Sequence, residues 1–172
     1  MSFKPYIIQD LFSEDIFTDL RTHVREVRRA FEGTPFEDIN EPPPRKFNRW
    51  CWHNLPLLRK LHYHPDLLKK ANEIFGEAVK PSYVFLSMYG EGGICPRHTD
   101  RAQCKYTIDM CISQRDVWPI YIDDQPYLLE ENWAVAYSGT DSPHYRNTIE
   151  LGNYCNLAFF HFVPVSFSGK LE

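Results

Sequence analysis

A chain of 172 residues with 43% hydrophobic and 15% aromatic content carries enough apolar material for one domain with its own core. The net charge of -4 comes with no long run of Lys or Arg, which argues against a nucleic-acid or membrane-binding surface. There is no apolar stretch of the roughly eighteen residues needed to cross a bilayer, so no membrane association is expected.

The N-terminus, Met1-Ser2-Phe3-Lys4-Pro5, lacks the apolar segment of a secretion signal. The five cysteines, Cys51, Cys95, Cys104, Cys111 and Cys155, are odd in number and form no CxxC pair. That spacing speaks against a disulfide framework and a structural zinc site, and for reduced, mostly buried thiols in a cytoplasmic protein.

Tyr6 to Leu11 reads as a short strand or extended lead-in. Ser13 is placed as an N-cap ahead of Glu14 and Asp15, and Phe17, Leu20, Val24, Val27 and Phe31 recur at helical steps up to Gly33. Arg21, Arg25, Arg28 and Arg29 fall mainly outside this stripe and read as a solvated face. From Thr34 to Asn48, Pro35 and Pro42-Pro43-Pro44 exclude a helix and predict a long surface loop, either a lid or a plain connection. Arg45, Lys46, Arg49, Trp50, Trp52 and His53 either line a substrate mouth or pack the loop back on the core. Two short helices follow, Leu55 to His62 and Asp66 to Phe75, with Gly76 at the second C-cap.

Beyond Pro81 the pattern changes to strands separated by Gly-, Pro- and Asp-rich turns: Tyr83–Tyr89, Pro96–Asp100, Tyr106–Ile112, Trp118–Ile122, Trp133–Tyr137, His144–Asn147 and Asn153–Val163. Helices first and then many short strands predict a mainly β fold, an antiparallel sandwich or barrel covered by helices on one side. A single domain over 1–172 is expected, with 1–80 as helical cover and Pro-rich loop and 82–165 as the catalytic core.

His98 and Asp100 sit two residues apart in a strand and therefore share one face, separated by about 7 Å along it. His144 lies far downstream at a predicted strand start, after the turn Gly139-Thr140-Asp141-Ser142-Pro143. Two imidazoles and one carboxylate on one face of a metal are the ligand set of non-haem Fe(II) oxygenases. His98, Asp100 and His144 are thus the candidate metal ligands and catalytic residues.

Tyr89-Gly90-Glu91-Gly92-Gly93, Pro96-Arg97-His98-Thr99-Asp100-Arg101 and Cys104 resemble the metal-binding core of the 2-oxoglutarate/Fe(II)-dependent dioxygenases. So do Trp118-Pro119-Ile120, Tyr137-Ser138-Gly139 and Pro143-His144-Tyr145-Arg146, and Phe159-Phe160-His161-Phe162-Val163 resembles the last strand of a prolyl-hydroxylase-like subgroup. The resemblance covers residues 83 to 163. It implies a double-stranded β-helix (jelly-roll, cupin-like), with Fe(II) as cofactor and 2-oxoglutarate as co-substrate. It also implies oxidative decarboxylation to succinate and CO2 coupled to hydroxylation of a C–H bond in a small-molecule or protein substrate.

The far carboxylate of 2-oxoglutarate needs a cation, preferably a guanidinium. Many family members carry Arg or Lys about ten residues past the distal His, where this chain has Asn153-Tyr154-Cys155-Asn156. Arg146, on the same strand face as His144, takes that place in the sequence reading, with Lys105 and His161 behind it and Tyr83, Tyr89 and Tyr106 as phenolic donors. Two other readings stay open: a non-catalytic metal-binding or sensing jelly-roll, and a cupin-type metalloenzyme without a keto-acid. Substrate identity and oligomeric state are not encoded in these patterns.

Overall fold

The computed structural model describes residues 3–36 and 47–171. Most of the expected Pro-rich loop, with Arg45 and Lys46, lies outside the described residues.

Among the described residues, ten strands form two antiparallel sheets. The larger has the order β1-β8-β5-β10-β3-β2, from β1 (Tyr6–Ile8), β8 (Ala134–Ser138), β5 (Tyr106–Gln114), β10 (Cys155–Pro164), β3 (Val79–Tyr89) and β2 (Arg49–His53). The smaller runs β4-β9-β6-β7, from β4 (Cys95–His98), β9 (His144–Arg146), β6 (Ile120–Ile122) and β7 (Gln125–Tyr127). Three of these strands depart from the sequence reading, the first being β4, which ends at His98 and leaves Asp100 outside the strand expected over Pro96–Asp100. β2 occupies a stretch assigned no element, and β7 covers residues read as a turn. Both β1 and β2, from the first eighty residues, extend the main sheet at its edges. Pro81 falls inside β3 and has no N–H to give, and the β10 register slips between Phe160 and Phe162 where it pairs with Pro81.

Strand alternation divides the core. Val84, Leu86, Met88, Ile108, Met110, Ala158, Phe160 and Phe162 face one way and pack with the helices. Cys111, Val135, Tyr137, Cys155 and Leu157 face the other way and pack with Trp118, Ile120 and Ile122 of the smaller sheet. The helical layer is α1 (Glu14–Phe31), α2 (Pro56–His62) and α3 (Pro65–Phe75). Helix α1 buries Phe17, Leu20, Val24 and Val27, each worth about 1.5–3 kcal/mol relative to exposure. Ser13 precedes α1 without a side-chain cap bond, while Gly76 closes α3 in the left-handed conformation. Arg28 is not a solvated residue as expected: it donates to the Tyr89 carbonyl and to Asn156 Oδ1. No helix among the described residues is long and apolar enough to cross a membrane.

His62 joins the helical layer to the sheet. Its ring is 1% exposed, and Nε2–H donates to the His161 carbonyl at 2.9 Å. Burial pushes its pKa down to about 3 against 6.5 unfolded, so the folded state holds it neutral. This stabilisation is complete above pH 6.5 and is lost as pH falls from 6.5 toward 3, at about 1.4 kcal/mol per pH unit. Urea titrations between pH 7 and 4.5 are expected to show a slope in His62→Gln shallower by that amount. Equal slopes would contradict this placement.

Candidate active site

His98 and His144, distant in sequence, are cross-strand partners in the β4–β9 ladder, and Cys95 and Arg146 are partners in the same ladder. Asp100 lies just past β4, tied down by its N–H to the Gly139 carbonyl at 2.8 Å. Both histidines donate Nδ1–H to carbonyls two residues back, His98 to Pro96 at 2.7 Å and His144 to Ser142 at 2.9 Å. A carbonyl only accepts, so both Nε2 atoms are turned inward. They lie 3.5 and 3.7 Å from Asp100 Oδ1, and the three donor atoms all fall within 4.8 Å of one another. A divalent ion about 2.1 Å from each donor requires spacings of about 3.0–3.4 Å, a few tenths of an ångström shorter than the two separations from Asp100 Oδ1.

The electrostatics suit a cation. Hydrogen bonds to Asp100 and Cys95 push the His98 pKa up to about 10. Asp100 is held below the usual carboxylate range: burial opposes this, but the His98 hydrogen bond and the field of His144 outweigh it. Burial keeps His144 below its ordinary value and so neutral. Asp100 also approaches Cys104 and His161 closely enough to form a second donor group. There, burial pushes the Cys104 thiol up to about 12, which disfavours the thiolate a metal needs.

The triad opens on a cavity of about 470 Å³ whose lining also includes Arg49, Tyr83, Phe85, Tyr89, Asp109, Tyr137, Arg146, Phe159 and His161. Of the residues read from sequence as co-substrate contacts, Arg146, Tyr83, Tyr89 and His161 reach this cavity. Lys105 and Tyr106 do not line it; both turn to Glu77.

Arg146 is already paired within the protein. Its Nη2 pairs with Asp109 Oδ2 at 2.7 Å, its Nη1 donates to the Trp118 carbonyl at 2.6 Å, and neither side chain is more than 3% exposed. Burial works against the guanidinium charge, but Asp109 outweighs it and raises the pKa. Arg49 is different. It donates to Tyr89 Oη at 3.1 Å and lies over the Phe47 and Tyr89 rings. Among the described residues no carboxylate comes within 4.0 Å of it. Burial pushes the Tyr89 phenol up, so that partner stays neutral. Arg49 is therefore a cavity-lining cation with room for an anion.

Asp109 escaped the sequence reading, although a lone acid inside the apolar strand Tyr106-Thr107-Ile108-Asp109-Met110 signals a buried partner.

No protein-family model matches this chain, and no curated protein sequence matches it. Solved structures do. HygX from Streptomyces hygroscopicus, with nickel and 2-oxoglutarate bound, is 9% identical with a TM-score of 0.69, over 96% of this chain and 85% of that one. HygX is also known with hygromycin B bound. A Pseudomonas putida prolyl-4-hydroxylase is 14% identical with a TM-score of 0.67, over 91% of both chains. The non-heme alpha ketoglutarate dependent epimerase SnoN from nogalamycin biosynthesis is 8% identical with a TM-score of 0.72, over 93% of this chain and 77% of that one. At these identities the likeness establishes a shared fold.

Proposed function

We propose that this protein is an Fe(II)- and 2-oxoglutarate-dependent oxygenase that hydroxylates a C–H bond of a small molecule or a protein side chain, releasing succinate and CO2. The observation that carries this reading is the convergence of His98 Nε2, His144 Nε2 and Asp100 Oδ1 at the wall of one cavity. The two facing antiparallel sheets support reading the fold as a double-stranded β-helix. Residues 82–165 then form its catalytic core, and residues 1–80 cover it within a single domain.

The donor set fits Fe(II). Two imidazoles and one carboxylate are borderline-to-hard ligands, and a facial arrangement leaves coordination positions for a co-substrate and dioxygen. Bound there, iron supplies the activation of dioxygen that no protein side chain provides. The chain's own residues do the rest. His98, Asp100 and His144 hold the ion, and the Pro96 and Ser142 carbonyls fix the imidazole tautomers. Tyr83, Phe85 and Phe159 give the cavity a partly apolar, aromatic wall.

Arg49 takes the far carboxylate of 2-oxoglutarate in this reading, with the Tyr89 phenol beside it, because its charge is not already spent on a carboxylate. Arg146, the residue favoured from sequence, builds the wall behind it through Asp109. Tyr83, whose phenol burial pushes up to about 12, remains a protonated donor. Lys105 has no part.

Anaerobically loaded Fe(II) protein, exposed to oxygen with 2-oxoglutarate, is expected to consume both slowly and release equal succinate and CO2 even without substrate. Iron binding with no 2-oxoglutarate turnover would instead support a sensing jelly-roll or a keto-acid-independent metalloenzyme.

A further inference from the structure

We propose, resting on the iron reading above, that Thr107 and His161 form a hydrogen-bonded relay that fixes Asp100 as a single-oxygen metal ligand. The two oxygens of Asp100 have different surroundings. Oδ1 faces both imidazole Nε2 atoms, while Oδ2 is turned to Thr107 Oγ1 at 3.4 Å. Thr107 Oγ1 in turn lies 3.0 Å from His161 Nδ1.

Proton counting sets the direction. An ionised carboxylate only accepts, and a hydroxyl has one proton to give. Thr107 therefore donates to Asp100, and its oxygen accepts from His161 Nδ1–H. That leaves His161 Nε2 as a bare lone pair, and this nitrogen is among the buried polar atoms with no partner. With the proton on Nε2 instead, a buried N–H would be orphaned and Asp100 Oδ2 would lose its donor as well. Unpaired buried acceptors are tolerated more often than unpaired buried donors.

The relay is rigidly mounted. Thr107 and His161 are register partners on β5 and β10, the two central strands of the larger sheet. The His161 ring is stacked on Tyr83 at 5.1 Å and 9°. Gly139 completes the seat: a Cβ there would collide with Asp100 Oδ2 and with the Cys104 carbonyl, and would stand 3.0 Å from Thr107 Oγ1. Asp100 lies beyond the end of a four-residue strand, so its carboxylate takes its orientation from the centre of the neighbouring sheet. With Thr107 turned to Oδ2, Oδ1 is the oxygen that Asp100 presents to the two imidazoles and would offer a metal there.

The test is calorimetric titration of the apo protein with Co(II), with the ligand-field spectrum recorded alongside. Thr107→Val is isosteric but has no hydroxyl, and His161→Phe keeps the stacked ring but has no Nδ1–H. Both are expected to weaken Co(II) binding about 10- to 100-fold, while Thr107→Ser and His161→Asn, which restore the donors, stay within about threefold of wild type. A merely structural His161 predicts the reverse order, because Phe preserves the ring packing and Asn destroys it. The proposal is overturned if Thr107→Val binds like wild type, or if His161→Phe binds as tightly as His161→Asn. Should the His161 variants not fold, the Thr107 pair decides alone. Failure of wild type to bind Co(II) at all would remove the metal reading itself, a result distinguishable from failure of the relay alone.

Discussion

Asp100→Ala is expected to abolish Fe(II) binding and 2-oxoglutarate turnover while leaving the fold in place. Asp100 supplies the only anionic donor of the triad, and without it two imidazoles with ring centroids 4.3 Å apart remain. It belongs to neither hydrophobic cluster, and its main-chain N–H bond to Gly139 does not depend on the side chain. Near-UV circular dichroism should therefore match wild type, while metal titration shows no saturable site. The same result is expected for His98→Ala, whose side chain is 43% exposed. Full decarboxylation activity in either variant would show the ligand assignment to be wrong.

Arg146→Ala is expected to fail differently, by unfolding. The change leaves Asp109 buried at 0% exposure, with Oδ2 stripped of its guanidinium and Oδ1 already without a partner. Removing one member of a buried ion pair typically costs about 3–5 kcal/mol, because the survivor is an uncompensated charge. Urea denaturation should show this loss, and the double variant Arg146→Met with Asp109→Leu should recover most of it. Arg49→Gln leaves no such charge behind. Its expected effect is a rise of roughly 10- to 100-fold in the KM for 2-oxoglutarate, the worth of a charge-assisted hydrogen bond. Stability should change little. If Arg49→Gln left that KM unchanged and Arg146→Gln raised it in a folded protein, the carboxylate would belong to Arg146.

The convergence of His98, Asp100 and His144 was anticipated because two imidazoles and a carboxylate are a distinctive set of residue types. The reason given for Asp100 differs from what the fold does: β4 ends at His98, and Asp100 is placed instead by its N–H bond to the Gly139 carbonyl. The pairing of His98 with His144 across one ladder was not legible, since register between distant strands depends on the whole sheet. Arg49 was seen but left undecided between mouth and packing. In strand β2 Arg49 lines the cavity, while Trp50 and Trp52, one residue out of phase, pack on Phe31. The period of two in Arg-Trp-Cys-Trp-His was the available signal, obscured by the three prolines just before it. Arg146 illustrates the opposite limit. Its strand face was readable, but its engagement by Asp109 was not, because that pairing joins two different sheets.

Anaerobic titration of the Fe(II)-loaded protein with 2-oxoglutarate, followed in the visible spectrum, tests most directly whether these three side chains hold an iron that accepts the keto-acid. A weak charge-transfer band that saturates with added 2-oxoglutarate in wild type, and is absent from Asp100→Ala, is the predicted result. A wild-type protein that binds Fe(II) yet develops no band, or a band that persists without Asp100, would contradict it.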